Sequence, residues 1–413
     1  MIGVFVGRFQ PFHKGHFLAI KWILKKTKKL AVFIGSLQEF NTFKNPFTFE
    51  ERKKILEKVF LKRKLKNVFF YGICDFLNDD LWTKKILKTL GRKDIVVFTQ
   101  NPWTKRCFEK FKIKVLPHPL FLNGISGTEI RERIALSKKW EDLVLPEVVE
   151  FLKKIKAKER IKFLKEPEKE IIKWIFEKVK ETKTKGAVVG VSGGVDSSLC
   201  AFLTKKALGK NALFLWMPIL QKKIPKEISL LQKILGFKVK KISLRRVFKN
   251  FLEFLPQGNK KVKGNLMARL RMATLYYFSN LKNYLVVGTT NKSELLTGYF
   301  TKYGDGGVDI EPLADFYKTE IYEIAKRVGL PKEILEKKPS AGFWPGQTDE
   351  KELGWNYFEI DTFLKLKEQG FSLKEISFLT EIPFKKIESF FLRCQKNSHK
   401  LFLPPILKKP KIK

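Results

Sequence analysis

The stretch Ala187-Val188-Val189-Gly190-Val191-Ser192-Gly193-Gly194-Val195-Asp196-Ser197-Ser198 reads as a β-strand running into a glycine-rich loop and then a helix. Small residues let the main chain approach a phosphate, and a helix start offers unpaired N–H groups and a positive dipole end. The loop lacks the closing Gly-Lys-Ser/Thr of a Walker A motif, so it is a phosphate cradle of another type. Downstream, the apolar runs Ala212–Trp216, Val239–Ser243 and Leu285–Thr289 alternate with helical patterns. Such alternation predicts a parallel sheet with helices on both faces.

Upstream the same pattern occurs a first time. Strand-like runs lie at Ile2–Val6, Leu30–Ser36, Val68–Tyr71, Ile95–Thr99 and Ile113–Leu116, with an amphipathic helix from about His16 to Lys26. Between the two series, Pro146 to Glu181 is helical in pattern and heavily charged, without a strand. The fold class is therefore α/β, as two tandem Rossmann-like parallel-sheet domains at 1–165 and 166–413. The stretch Phe371–Phe391 resembles a helix-turn-helix, but two short helices packed on a domain produce the same text, and that reading is preferred.

Length and composition bound the function. The 413 residues suffice for two or three domains, and 44% hydrophobic content with 38 Phe excludes a disordered chain. Cys74, Cys107, Cys200 and Cys394 form no CxxC, which excludes a disulfide scaffold and a Cys-built zinc site. With four His in all, a multi-histidine metal centre is not expected. No run approaches the about 20 apolar residues of a membrane span, and no signal-peptide pattern opens the sequence, so a cytoplasmic location is expected. The formal charge of +41 is consistent with nucleic-acid binding, but the lysines are spread along the chain as solvated faces. The densest runs, Leu61–Lys66 and Lys408–Lys413, are short. Nucleic acid is not expected as a partner, whereas polyanionic small substrates suit the same field.

The loop after the first strand, Gly7-Arg8-Phe9-Gln10-Pro11-Phe12-His13-Lys14-Gly15-His16, also opens a helix. His13 and His16 lie one turn apart and can donate to the same phosphate oxygens. No acidic residue or third histidine stands nearby in sequence, which argues against a metal there. This H-x-G-H segment, with Asn45–Arg52 (NPFTFEER), Asn101-Pro102-Trp103 and Ile125–Arg131 (ISGTEIR), resembles the archaeal-type nicotinamide mononucleotide adenylyltransferases of the HxGH nucleotidyltransferase fold. The resemblance covers about residues 1–165 and implies AMP transfer from ATP to the phosphate of a nicotinate or nicotinamide mononucleotide. It implies that Gly7, Arg8, His13, His16, Ser126, Thr128 and Arg131 hold ATP. Arg8, His13, His16 and Arg131, with Arg52 and Mg²⁺, would offset charge at the reacting phosphates. For the mononucleotide it points to Arg52, Asp75, Trp82, Asn101 and Trp103, with Trp82 equally readable as a core aromatic.

In the second half the Ser-Gly-Gly-x-Asp-Ser loop is the pyrophosphatase-type loop shared by several enzymes that split ATP into AMP and pyrophosphate. It is followed by Arg269–Met272, Gly288–Glu294, Thr297–Asp309, Pro312–Thr319, Lys338–Ala341, Gly346–Glu350 and Ser398–Lys400. This series resembles NAD synthetase, of adenine-nucleotide α-hydrolase-like fold, over the whole catalytic domain. By that resemblance Gly190, Val191, Ser192, Gly193, Gly194, Val195, Asp196, Ser197, Thr289, Lys318 and Ser340 bind ATP. Asp196 and Glu294 hold Mg²⁺, and Arg269, Lys302, Asp309, His399 and Lys400 bind the deamido dinucleotide. The implied reaction is amidation through an acyl-adenylate, with free ammonia as donor because no cysteine stands in a glutaminase setting.

Joined, the two halves imply the last two steps of NAD synthesis on one chain. The reverse order, amidation of nicotinate mononucleotide followed by adenylylation, is chemically legal too. A DNA-binding regulator that senses NAD precursors is the alternative of another class. NAD synthetases are typically homodimers, so a homodimer or higher homo-oligomer is expected.

Overall fold

The computed structural model describes residues 1–91, 94–221 and 223–407. The basic tail 408–413 lies outside the described residues. Among the described residues two compact units form, one of Met1–Glu166 with Lys365–Ile387, the other of Pro167–Leu364 with the residues from Glu388 on.

In the first unit β1 (Ile2–Gly7), β2 (Lys29–Ile34), β3 (Val68–Gly72), β4 (Ile95–Phe98) and β5 (Lys114–Leu116) make a five-stranded sheet of order 3-2-1-4-5. Every pairing is parallel, with Val4 beside Ala31 and Val97 across β1–β2 and β1–β4. Helices α1 (Lys14–Leu24), α2 (Phe49–Lys62), α3 (Asp79–Leu90), α4 (Pro102–Glu109) and α5 (Gly127–Ala135) connect or follow these strands. Two more, α6 (Pro146–Lys154) and α7 (Ala157–Lys165), complete the N-terminal part. The order reverses between β1 and β4, and a crevice at the carboxyl ends of strands at such a switch point is where open α/β sheets bind ligands. The loops after β1 and β4 carry the H-x-G-H segment and Asn101-Pro102-Trp103.

The second unit opens with α8 (Pro167–Glu181) and has the parallel order 8-7-6-9 from β6 (Gly186–Gly190), β7 (Ala212–Trp216), β8 (Lys240–Lys241) and β9 (Tyr284–Val287). The central strands are apolar on both faces, with Ala187, Val188 and Val189 fully buried, as a helix-covered parallel sheet requires. The run Val239–Ser243 shrinks to two paired residues because Lys240 and Lys241 form an exposed edge. α9 (Val195–Leu208), α10 (Lys226–Leu235), α11 (Arg245–Phe254), α12 (Lys260–Lys282), α13 (Lys292–Thr297), α14 (Lys318–Arg327), α15 (Lys332–Leu335) and α16 (Asp349–Leu353) follow in order. α17 (Tyr357–Glu368), α18 (Leu373–Thr380) and α19 (Phe384–Asn397) close the chain. Among the described residues no helix is long and apolar enough to cross a membrane.

One element departs from the sequence expectation. Residues Lys365–Ile387 were expected within a domain spanning 166–413, but they belong to the first unit. The cause is a set of polar contacts with partners more than 280 residues away. Lys365 Nζ pairs with Glu39 Oε2 at 3.0 Å, and the buried Lys85 ammonium holds Glu381 Oε1 at 2.6 Å and the Phe378 carbonyl. The helix-turn-helix-like text is thus a packed arm, with Lys85 also 3.6 Å from the Phe378 ring centroid.

Candidate active sites

In the first unit, His13 caps α1. Its Nδ1 accepts the main-chain N–H of His16 at 3.3 Å, and the two rings stack with centroids 3.5 Å apart. A neutral ring that accepts at Nδ1 carries its proton on Nε2, which is then free to donate. Burial lowers the His13 pKa to about 4. Burial, then the neighbouring His13 and His118, pushes His16 well below its ordinary value. Burial thus favours the uncharged form of both rings. His16 Nδ1 is shut from solvent and has no partner among the described residues.

The cations of this site are arginines. Arg131 Nη1 donates to the Gln10 carbonyl at 2.6 Å and Nη2 to Thr128 Oγ1 at 3.0 Å, while burial and Arg8 lower its pKa to about 10. Close approach is possible because Gly127 has no side chain: a Cβ there would stand 2.8 Å from the Gln10 carbonyl oxygen. Ser126 caps α5 by accepting from Glu129 N at 3.1 Å. Arg8 Nη1 is buried without a partner among the described residues, and burial lowers its pKa although Asp75 opposes this. Gly7 is the last residue of β1, and a Cβ there would strike the Phe9 ring.

The residues expected at the mononucleotide divide. Asp75 accepts from Ser36 Oγ and Gln38 Nε2, each at 3.1 Å, and its N–H donates to Gln38 Oε1. Burial raises its pKa. Arg52 is corrected from a phosphate ligand to an internal brace. It has no exposed surface, and its guanidinium donates to the carbonyls of Thr48, Arg8, Gly35 and Ser36. Trp82 is a core side chain, 4% exposed, and the half-exposed Trp103 lies against it with ring centroids 4.8 Å apart. Trp103 Nε1 donates to Asp79 Oδ2 at 3.0 Å, and Asn101 caps α4. Sequence reading missed His118 and Gln38, which reach the site only through the fold.

In the second unit the loop after β6 is tied to itself. Ser192 Oγ lies 3.0 Å from Ser197 Oγ, and Gly194 N donates to Ser192 Oγ at 3.3 Å. Gly193 has φ of +77°, a left-handed conformation that suits glycine. Gly190, Val191 and Val195 complete the strand–loop–helix junction. Beside it Lys318, 2% exposed, bonds Asp196 Oδ2 and lies 3.9 Å from Glu294 Oε1. Asn291 Nδ2 donates to Asp196 Oδ1 at 3.0 Å. Burial and Asp196 push the Glu294 pKa well up. Burial opposes a charged Lys318, but Asp196 and Glu294 outweigh it and raise its pKa.

One residue within a motif already quoted, and two beside such motifs, stand out in the same unit. Asp349 accepts from Tyr357 OH at 3.0 Å, and its buried Oδ1 has no partner among the described residues. Lys337 lies 3.5 Å from both the Ser192 carbonyl and Glu227 Oε1. Glu311 has a buried, partnerless Oε2 among the described residues, and burial raises its pKa to about 8.

Among the described residues no group of three or more His, Cys, Asp and Glu is arranged to hold a metal. The donor set still fits Mg²⁺, which is commonly held by one or two carboxylates plus substrate phosphates. Asp196 and Glu294 present hard oxygens to one point, now neutralised by Lys318.

The expected dinucleotide residues gather in part. Arg269 Nη2 donates to the Lys302 carbonyl at 3.3 Å, and Lys302 Nζ donates to the His399 and Phe402 carbonyls at 3.0 and 2.7 Å. Lys400 Nζ holds the Gly298 and Phe300 carbonyls, and His399 Nδ1 lies 3.0 Å from the Lys396 carbonyl. Asp309 is fixed elsewhere, by Tyr276 OH and Val286 N. Thr289 is half-buried past the end of β9, and the exposed Ser340 accepts from Gly342 N.

Comparison with known proteins agrees with both halves. Residues 4–133 match the family described as cytidylyltransferase-like, and residues 168–404 match NAD synthase. The "NH(3)-dependent NAD(+) synthetase" of Methanococcoides burtonii is 45% identical over 244 residues, covering 57% of this chain and 92% of that protein. The like-named protein of Methanocaldococcus jannaschii is 46% identical, covering 57% of this chain and 93% of its own. A solved structure described as NMN synthetase from Francisella tularensis aligns at TM-score 0.52 and 33% identity, over 59% of this chain and 98% of its own. The chain is an enzyme of NAD biosynthesis that joins a nucleotidyltransferase domain to a ligase domain. With that cytidylyltransferase-like domain ahead of its larger half, it belongs to the NAD synthase family.

Proposed function

We propose that the chain carries out two AMP-transfer reactions in succession. The first unit transfers AMP from ATP to the phosphate of nicotinate or nicotinamide mononucleotide, releasing pyrophosphate. The attacking phosphate is already an anion, so the site needs positioned donors and cations rather than a base. His13 and His16 would donate as neutral rings, and Arg8 and Arg131 would supply positive charge. Asp75, Asn101 and the face of Trp103 would border the pyridine side.

The second unit amidates the deamido dinucleotide. Its carboxylate attacks the α-phosphate of ATP, pyrophosphate departs onto the 191–194 loop, and ammonia displaces AMP from the acyl-adenylate. Asp196 and Glu294 would hold Mg²⁺, which when bound offsets the charge of the polyphosphate. Lys318 keeps the two carboxylates in register, and Lys302 would add charge near the substrate. Residues Thr289 and Ser340 would border ATP, and Arg269, Asp309, His399 and Lys400 the dinucleotide. A homodimer or higher homo-oligomer is part of this reading, and sedimentation measures it.

The observation that carries the proposal is the buried Lys318–Asp196–Glu294 cluster beside the Ser-Gly-Gly-x-Asp-Ser loop. The test supplies nicotinate mononucleotide, ATP, Mg²⁺ and ammonium and seeks NAD by mass spectrometry. Asp196→Ala should stop at the deamido dinucleotide, and His16→Ala should block its formation. Release of ADP and orthophosphate in place of pyrophosphate would overturn the scheme. A second reading, amidation of the mononucleotide before adenylylation, is favoured by the likeness to the structure described as NMN synthetase. Amidation rates on mononucleotide against dinucleotide decide between them.

A further inference from the structure

We propose that Gln369, assisted by Lys365, is a positioning residue for the mononucleotide side of the first active site. This rests on the adenylyltransferase reading above. The loop after β2, residues 35–39, holds that side together: Ser36 and Gln38 fix both oxygens of Asp75, and Gly35 and Ser36 carbonyls receive Arg52. The carbonyls of Leu37 and Gln38 are fastened from outside the first 166 residues. Gln369 does this, donating from Nε2 to each at 3.2 Å.

The same side chain reaches α2. Gln369 Oε1 accepts the N–H of Phe49 at 3.0 Å, the first residue of the helix that carries Arg52. One amide therefore joins the Asp75-holding loop to the start of the arginine-bearing helix. Four positions earlier in the chain, the buried Lys365 pairs with Glu39 at 3.0 Å and closes the end of the loop. Phe371 packs near Phe49, with ring centroids 6.2 Å apart. All three residues lie inside the stretch that matches NAD synthase, 168–404, yet they serve the nucleotidyltransferase unit.

A carboxamide fits this task because it donates twice and accepts once at a fixed spacing. Its effect would fall on Asp75 and hence on the mononucleotide. ATP, whose expected residues His13, His16 and Arg131 are built on other elements, should be bound as before.

The test uses the full chain and compares Gln369→Ala with Gln369→Glu, which keeps the acceptor for Phe49 N but loses both donors. Both variants should raise KM for the mononucleotide about tenfold while KM for ATP and kcat change little. The second unit's amidation of supplied deamido dinucleotide, measured in the same samples, should be unaltered. Lys365→Met should move the same KM in the same direction. An unchanged mononucleotide KM in both Gln369 variants would overturn the proposal, as would wild-type behaviour of Gln369→Glu alone. A loss of kcat with both KM values unchanged would indicate mere structural support and overturn it too. If the unaltered chain forms no dinucleotide from mononucleotide and ATP, the adenylyltransferase reading itself fails and takes the proposal with it.

Discussion

The Lys318 ammonium lies buried against Asp196 Oδ2, 2% exposed, at the first turn of the helix that follows the glycine-rich loop. A second carboxylate, Glu294, stands 3.9 Å from the same nitrogen. One buried cation faces both side chains, with Asp196 the nearer partner and the Glu294 pKa pushed well up by burial and Asp196. Lys318→Met should cost about 3–5 kcal/mol of stability in the second unit, since it strands the Asp196 carboxylate. Denaturant unfolding measures the loss. Amidation should vanish, while adenylyl transfer by the first unit continues.

Proton uptake gives a second expectation. His13 has its pKa lowered by burial to about 4, below the ordinary value of 6.5. The folded state therefore resists a proton that the unfolded chain accepts. His13 contributes no penalty above pH 6.5, and stability falls as the pH drops toward 4, by about 3 kcal/mol in all. His13→Asn retains a capping oxygen and removes the titration. Its melting temperature should fall less than that of the unaltered chain between pH 6.5 and 4.

Glu311 shifts the other way. Burial raises its pKa to about 8, so the native carboxyl keeps a proton that the unfolded chain has released. Its contribution is complete below about pH 4.3 and is lost as the pH rises to 8, roughly 5 kcal/mol at full ionisation. Glu311→Gln should therefore match the unaltered chain near pH 4 and exceed it in melting temperature above pH 8. Equal melting curves at both ends would show that folding does not raise the Glu311 pKa.

Gly127→Ala tests the approach of α5 to the H-x-G-H loop. The new Cβ would stand 2.8 Å from the main-chain oxygen of Gln10, the same oxygen that accepts Arg131 Nη1. Main chain yields poorly, so α5 and Arg131 must move. Adenylyl transfer should fall by about tenfold or more in kcat/KM, with amidation unaffected. Steady-state assays of both reactions on one preparation check this.

Much of the architecture could be read from order alone. Among the described residues every strand but the exposed two-residue β8 coincides with an apolar run, because a parallel sheet covered on both faces needs continuous hydrophobic text, as in Val96–Phe98 and Ala187–Val189. The phosphate loops were legible for a related reason: glycines and helix starts have local signatures. Other features depend on contacts between distant residues. His118 reaches His16 through folding, and Gln369 meets Leu37 across 332 positions of sequence. Arg52 lay inside a recognisable segment, yet only burial distinguishes a brace of four carbonyls from a phosphate ligand. Trp82 and Trp103 differ in the same way, one in the core and one at the surface.

The assignment of Lys365–Ile387 to the first unit has a temporal consequence. A ribosome makes the β-sheet of that unit early, but the arm that fastens its 37–38 carbonyls emerges only after most of the second unit. Maturation of the leading catalytic body must therefore wait for the trailing one to be translated. Premature termination before residue 365 would leave the nucleotidyltransferase half without its clasp, although every strand of its sheet had been made.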